Sequence, residues 1–358
     1  MNLAALGAVT FTAAAQATTT TAPGVDLQLV APTTHGRWTV RVTNASPVPV
    51  RILADLRLLS LDVTPRSSRT IHCELPEEMQ PDDDLVSRRL IVPPGRAYSE
   101  SFDPRLFCFG GGLLDAVAPG AAVVAHLGWG RFSGARPRLE VAPVPGTSTT
   151  FTGIARLDSQ PIAVPDEPTE RPKSVDSGVA EDGGAPDPEA PRLRITGARA
   201  IDAESPDYVE IPVTIENRGA HSVTVRFRPE TLSFDIEGPS GPEHCSWPLP
   251  PPYATIETFT TLGPRESTTM DVLLASYCRG QGLARPGLLF VRPSLDTTDV
   301  AVRASGHDLD AHSFHGVVAA PTPTLLRLRH AARNQVSKPV DEPEIEPAES
   351  PALQGGTQ

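Results

Sequence analysis

The chain has 358 residues, among them 39 Pro, 28 Gly and four Cys, and a formal net charge of −12. The basic excess that sequence-independent nucleic-acid binding draws on is absent, and beyond the N-terminus no apolar run approaches the roughly 20 residues that span a bilayer. Length suggests about two domains, and so much Pro disfavours long helices.

In chain order, Met1 to Ala17 reads MNLAALGAVTFTAAAQA, an uncharged apolar stretch closing on Ala15-Gln16-Ala17. Such an ending after an apolar core is what signal peptidase accepts, so residues 1–17 are read as a signal peptide, although no Lys or Arg opens it. Residues 25–160 then alternate with a period of two. Trp38, Val40 and Val42 are interleaved with Thr39, Arg41 and Thr43. Runs of this kind, split by Pro, Gly, Asn and Ser, are the pattern of half-buried strands.

Residues 161–191 carry eight acids against Arg171 and Lys173 and form an expected acidic Pro-rich linker. Residues 192–329 repeat the first pattern. Val40-Arg-Val-Thr-Asn44 recurs as Val213-Thr-Ile-Glu-Asn217, and Leu59-Ser-Leu-Asp-Val63 as Leu232-Ser-Phe-Asp-Ile236, both 173 residues on. His72-Cys73 recurs as His244-Cys245, Cys108 as Cys278, and Phe151-Thr-Gly-Ile154 as Phe314-His-Gly-Val317. Ordered landmarks with slowly drifting offsets imply two copies of one module. Leu325 to Arg333 suggests a short helix, and residues 330–358, Pro-rich and acidic, a disordered tail.

The expected architecture is all-β: two tandem antiparallel β-sandwiches joined by the linker. The order of strand, Asn-x-Gly or Asn-x-Ser turn, strand, the SFDIEGPSG hairpin and then TLGPRES is similar to bacterial immunoglobulin-like modules, the intracellular proteinase-inhibitor type among them. The resemblance covers about 60 residues of each copy and implies the fold. The paired Cys depart from that family's plain module, and the resemblance assigns no functional residue.

One Cys pair per copy in an exported chain is expected to give the disulfides Cys73–Cys108 and Cys245–Cys278. A metal alternative would add His72 and His244 to these sulfurs, but neighbouring residues on a strand point to opposite faces. The other candidate metal ligands are His307, Asp308, Asp310, His312 and His315, imidazoles and carboxylates crowded into a stretch that has no His in copy one. A solvated hairpin tip is the preferred reading of the same residues. Glu77-Glu78 and Asp82-Asp83-Asp84 match no calcium loop, Gly110-Gly-Gly112 lacks the context of a phosphate loop, and no hydrolase or metalloprotease motif is present. Trp38, Trp129 and Trp247 read as core or rim residues.

The functional expectation is a secreted or periplasmic, non-enzymatic binding or structural protein without a cofactor. Its partner would be a protein or envelope component, with no nucleic acid and no transmembrane span in the mature chain. Two alternatives are a protease inhibitor acting through the Pro248–Pro252 loop and a metal-dependent protein using residues 307–315.

Overall fold

The computed structural model describes residues 24–34, 36–66, 69–81, 88–110, 112–128, 142–143, 156–166, 192–249, 258–278, 280–298 and 313–330. The segments read as signal peptide and tail (beyond His330), and residues 167–191 of the linker, lie outside them. The described residues hold strands and short 3-10 turns with no α-helix, so the chain is all-β.

The first half contains β1 (Val25–Val30), β2 (Trp38–Asn44), β3 (Val50–Leu53), β4 (Leu59–Thr64), β5 (Ile71–Glu74) and β6 (Arg89–Val92). It continues with β7 (Ala97–Phe102), β8 (Ala122–Gly128), β9 (Ala142–Pro143), β10 (Arg156–Asp158) and β11 (Ile162–Ala163). The second half runs through β12 (Leu193–Thr196), β13 (Ala200–Ala203), β14 (Glu210–Asn217), β15 (Val223–Val225), β16 (Leu232–Gly238) and β17 (Gly241–Ser246). It ends with β18 (Thr260–Leu262), β19 (Ser267–Leu273), β20 (Gly287–Asp296), β21 (Val317–Ala319) and β22 (Thr324–Leu328).

In the first half the sheet β1-β2-β7 shares a core with the sheet β10-β8-β4-β5, to which β11 adds beside β8. In the second, β12-β14-β19 shares a core with β13-β22-β20-β16-β17, and β21 adds beside β20. The alternation read from the sequence sets the inward faces. Val25, Leu27, Val40, Val42, Leu61 and Val63 point into one core, Ile211, Val213, Ile215, Phe234 and Ile236 into the other. Trp38 is fully buried, and its indole N–H donates to the Thr33 carbonyl at 2.8 Å, which satisfies its one polar group.

Several landmark residues sit in matching local settings. Asn44 ends β2 with its amide buried, donating to the carbonyls of Val48 (2.8 Å) and Val92 (2.9 Å). Asn217 ends β14 and donates to those of His221 (2.8 Å) and Leu262 (3.0 Å). In each, the side-chain carbonyl accepts a backbone N–H two residues on, from Ser46 or Gly219. These amides close the turn and pin β2 to β6 and β14 to β18, a task that needs two donors and an acceptor on one short side chain. Cys73 is bonded to Cys108 and Cys245 to Cys278, with Cα atoms 4.8 and 4.9 Å apart. Each bridge ties the edge strand β5 or β17 to the turn that follows β7 or β19.

Two expectations are corrected. Leu325 to Arg333 does not begin a helix: Thr324–Leu328 is β22, parallel to β13 on one side and antiparallel to β20 on the other. An inner strand covered on both faces loses its polar alternation, and the run TLLRL then resembles a short helix segment. Nor does the linker start at 161, because Ile162 and Ala163 pair with β8 and Val164 is buried in the first core. Gly110 and Gly112 have φ of 86° and 90° and shape the turn after Cys108.

Candidate binding surface on the outer sheet faces

The larger sheet of each half turns one face to its core and the other outward, and the polar residues that alternate with the core positions collect there. In the first half they form a row of acids and imidazoles across four strands. On β5, His72 lies between Glu74 and Asp62, its Nδ1 at 2.7 Å from Asp62 Oδ1 and its Nε2 at 3.4 Å from Glu74 Oε2. Asp62 Oδ2 approaches Nε2 of the buried His126 at 3.1 Å, an ion-pair distance without hydrogen-bond geometry. His126 Nδ1 meets Asp158 at 2.7 Å, and Arg156 Nε donates to the same carboxylate at 2.8 Å.

The electrostatics follow from that order. Burial pushes the Asp62 carboxyl up, but the hydrogen bond with His72 and the nearness of the His126 imidazole outweigh it and leave the group below the ordinary carboxylate value. Asp158 is held low chiefly by its hydrogen bond with His126. Among the described residues no three His, Cys, Asp or Glu are placed to hold a metal ion.

The second half uses the same face differently. The Asp235–His244 pair persists at 2.7 Å, but Ser294 stands opposite Ser233, where His126 stands opposite Ser60, and the two serine hydroxyls are 2.7 Å apart. Beside the pair lies a cleft of about 470 Å³ lined by Asp235, Glu237, Pro242, Glu243, His244, Phe290, Arg292 and Pro323. Cross-strand register builds it: His244, Asp235 and Arg292 form one row over β17, β16 and β20, and Pro242, Glu237 and Phe290 the next. Arg292 and Glu237 are exposed and have no ion pair among the described residues. A shallow cleft with an aromatic ring, two prolines, a guanidinium and carboxylates suits a ligand that is both charged and apolar, such as a peptide segment.

One edge of this cleft borders a contact with the first half. The turn after β7 reaches across, and Phe109 packs against Leu288 and Leu325 with Leu106, Leu114, Ala200 and Phe290 around it. Arg105, clamped by two hydrogen bonds to Asp103, lies 5.0 Å over the Phe290 ring, and Arg327 lies 4.7 Å over Phe109. Arg327 also donates to the Leu106 carbonyl at 3.3 Å and pairs with Asp202, which Arg329 contacts at 2.9 Å. Arg199 is paired with Asp115.

Burial would raise the Asp202 carboxyl, but Arg329 and Arg327 outweigh that and bring it down to about 2. A carboxylate depressed in the folded state stabilises the fold above its unfolded value and loses that contribution as pH falls through the folded one. Stability is therefore expected to drop as pH goes from 3.8 towards 2. Asp202→Asn should cost stability at neutral pH and flatten this acid limb in denaturant titrations at a series of pH values; an unchanged acid limb would remove Asp202 as a contributor.

Of the candidate metal ligands, His307, Asp308, Asp310 and His312 lie outside the described residues, while His315 is described and joins no metal-holding group. Asp82, Asp83, Asp84 and Trp129 also lie outside; Glu78 reaches towards Arg329, 3.8 Å away. Trp247 packs edge-on to Tyr277, and Leu249 of the Pro248–Pro252 loop is 64% exposed. Sequence reading missed His126, Asp158, Arg292 and the cluster of Phe109, Leu288 and Leu325 between the halves. Cross-strand partners are invisible in a linear sequence, and the correspondence of Phe290 with Ala122 follows only from the ladders.

No family model and no curated protein matches the chain. Among solved structures, it is similar to red sea bream transglutaminase at 10% identity and a TM-score of 0.20. That match covers 76% of this chain and 28% of the other, and a likeness this distant carries no argument. No helix among the described residues is long and apolar enough to cross a membrane.

Proposed function

We propose that the chain is a secreted or periplasmic, non-enzymatic binding protein made of two immunoglobulin-like β-sandwich modules, one per half. On this reading the second module takes a segment of another protein or an envelope component in the cleft beside Phe290. The observation that carries the proposal is the open cleft itself, where Arg292 and Glu237 stand exposed and have no ion pair among the described residues. Two buried disulfides favour an oxidising compartment.

A photo-crosslinking residue in place of Glu237, in the native host, tests both parts. Adducts recovered from the exported fraction, on chains lacking Met1–Ala17 and carrying both disulfides, are the expected result. Adducts absent there, or a full-length chain with four free thiols inside the cell, would overturn the reading. The exposure of Leu249 favours protease inhibition as a second reading. Leu249→Asp should then abolish inhibition of at least one member of a protease panel, and a panel with no inhibited member ends it.

A further inference from the structure

The contact between the halves joins surfaces whose counterparts elsewhere in the chain cannot make it. The ladders fix which residues correspond. Ser60 faces His126 as Ser233 faces Ser294, so β8 and β20 match residue for residue, and Leu288 and Phe290 take the places of Gly120 and Ala122. Ile162 faces Val123 as Thr324 faces Val291, so Leu325 takes the place of Ala163. The receiving face of the second half is thus built from three large apolar residues where the first half has Gly, Ala and Ala.

The projecting turn differs in the opposite sense. Counting from the paired Cys108 and Cys278, the first half presents Leu106, Phe109 and Leu114 where the second has Ser276, Arg279 and Ala284. Asp115, which pairs with Arg199, corresponds to Arg285, whose charge would repel that partner. Every difference favours one pairing, the first half's turn on the second half's face. The residues that set the turn itself are kept: Cys108 and Cys278, Phe107 and Tyr277, Leu113 and Leu283 all lie in or against their own cores.

From this complementarity, which rests on the two-module reading above, we infer that the halves are a dedicated docking pair and that the protein works as one rigid two-module body. The acidic segment between them is then a tether rather than a hinge. Docking also places Arg105 on the Phe290 ring, so the cleft has its full set of neighbours only in the docked form.

The test is 15N relaxation and amide hydrogen exchange on the full-length protein. Wild type should tumble with one correlation time for both halves. Phe109→Arg, which installs the residue of the second half's own turn, should split it into two shorter times and raise exchange at β22. Phe290→Ala, from the other side, should act in the same direction more weakly. Two independent correlation times in wild type would overturn docking, and a single time retained in both variants would overturn the assigned contact. If Phe109→Arg instead strips protection from β2 and β14 together, the halves are not separate modules, and it is the two-module reading that fails.

Discussion

Asn217→Asp is expected to unfold the second half in conditions where wild type is stable. The Asn217 amide nitrogen donates to the carbonyls of His221, Leu262 and Gly263 at 2.8 to 3.1 Å, and the residue is fully buried. A carboxylate keeps the acceptor for Gly219 N–H but turns both donors into a negative charge aimed at carbonyl oxygens. Leaving a buried charge uncompensated costs about 3–5 kcal/mol, a large part of the ~5–15 kcal/mol that holds a domain together. Asn217→Ala, which only orphans the carbonyls, should cost less, on the order of 2–3 kcal/mol. Trp247, packed 5.3 Å from the Tyr277 ring, reports on this half during denaturant unfolding. Lowering the pH should narrow the Asp variant's deficit, because protonation restores one donor. An Asp variant as stable as wild type would show that the amide is not what closes the β14–β18 junction.

Breaking a disulfide has an effect of similar size by another route. The bridges close loops with separations of 35 and 33 residues, which in the chain-entropy model stabilises each half by about 3.8 kcal/mol. Replacing Cys73 and Cys108 together by Ala, so that no lone thiol remains, should lower the unfolding midpoint of the first half. It should also weaken docking, since Phe109 follows Cys108 directly. The pair Cys245→Ala with Cys278→Ala should destabilise the second half and leave Phe109 in place. Hydrogen exchange followed half by half would separate the two cases; equal loss in both halves from either pair would contradict independent stapling.

Much of this architecture was legible in the residues. Period-two alternation around Val40, Val213 and Phe234 locates strands because a strand with one wet face must alternate. The recurring Asn44 and Asn217 were visible as landmarks before their role was, since an amide that bridges three backbone groups leaves no mark except its presence at a strand end. The Cys pairs were legible from an even count with one pair at matching places in each half, together with the reading of an exported chain. What stayed hidden depends on burial from both sides or on register. Thr324–Leu328 lost its alternation as an inner strand and Ile162–Val164 looked like the start of a Pro-rich linker, although both complete the same sheet position in their halves. The site suffered most. His126 and Asp158 are 32 residues apart and Arg292 is 57 from Asp235, and only the ladders bring them together.

The mismatch between the two turns also bears on assembly. A contact between unlike surfaces of a repeated unit can propagate, each copy docking on the next, and an open series of that kind grows into a filament. On the proposed docking, the series would stop after one step. The second half offers Ser276 and Ala284 where another docking turn would need leucines, and the first half offers Gly120, Ala122 and Ala163 where another receiving face would need bulk. On the proposed two-module reading, the differences at these few positions confine the docking contact to the two halves of one chain.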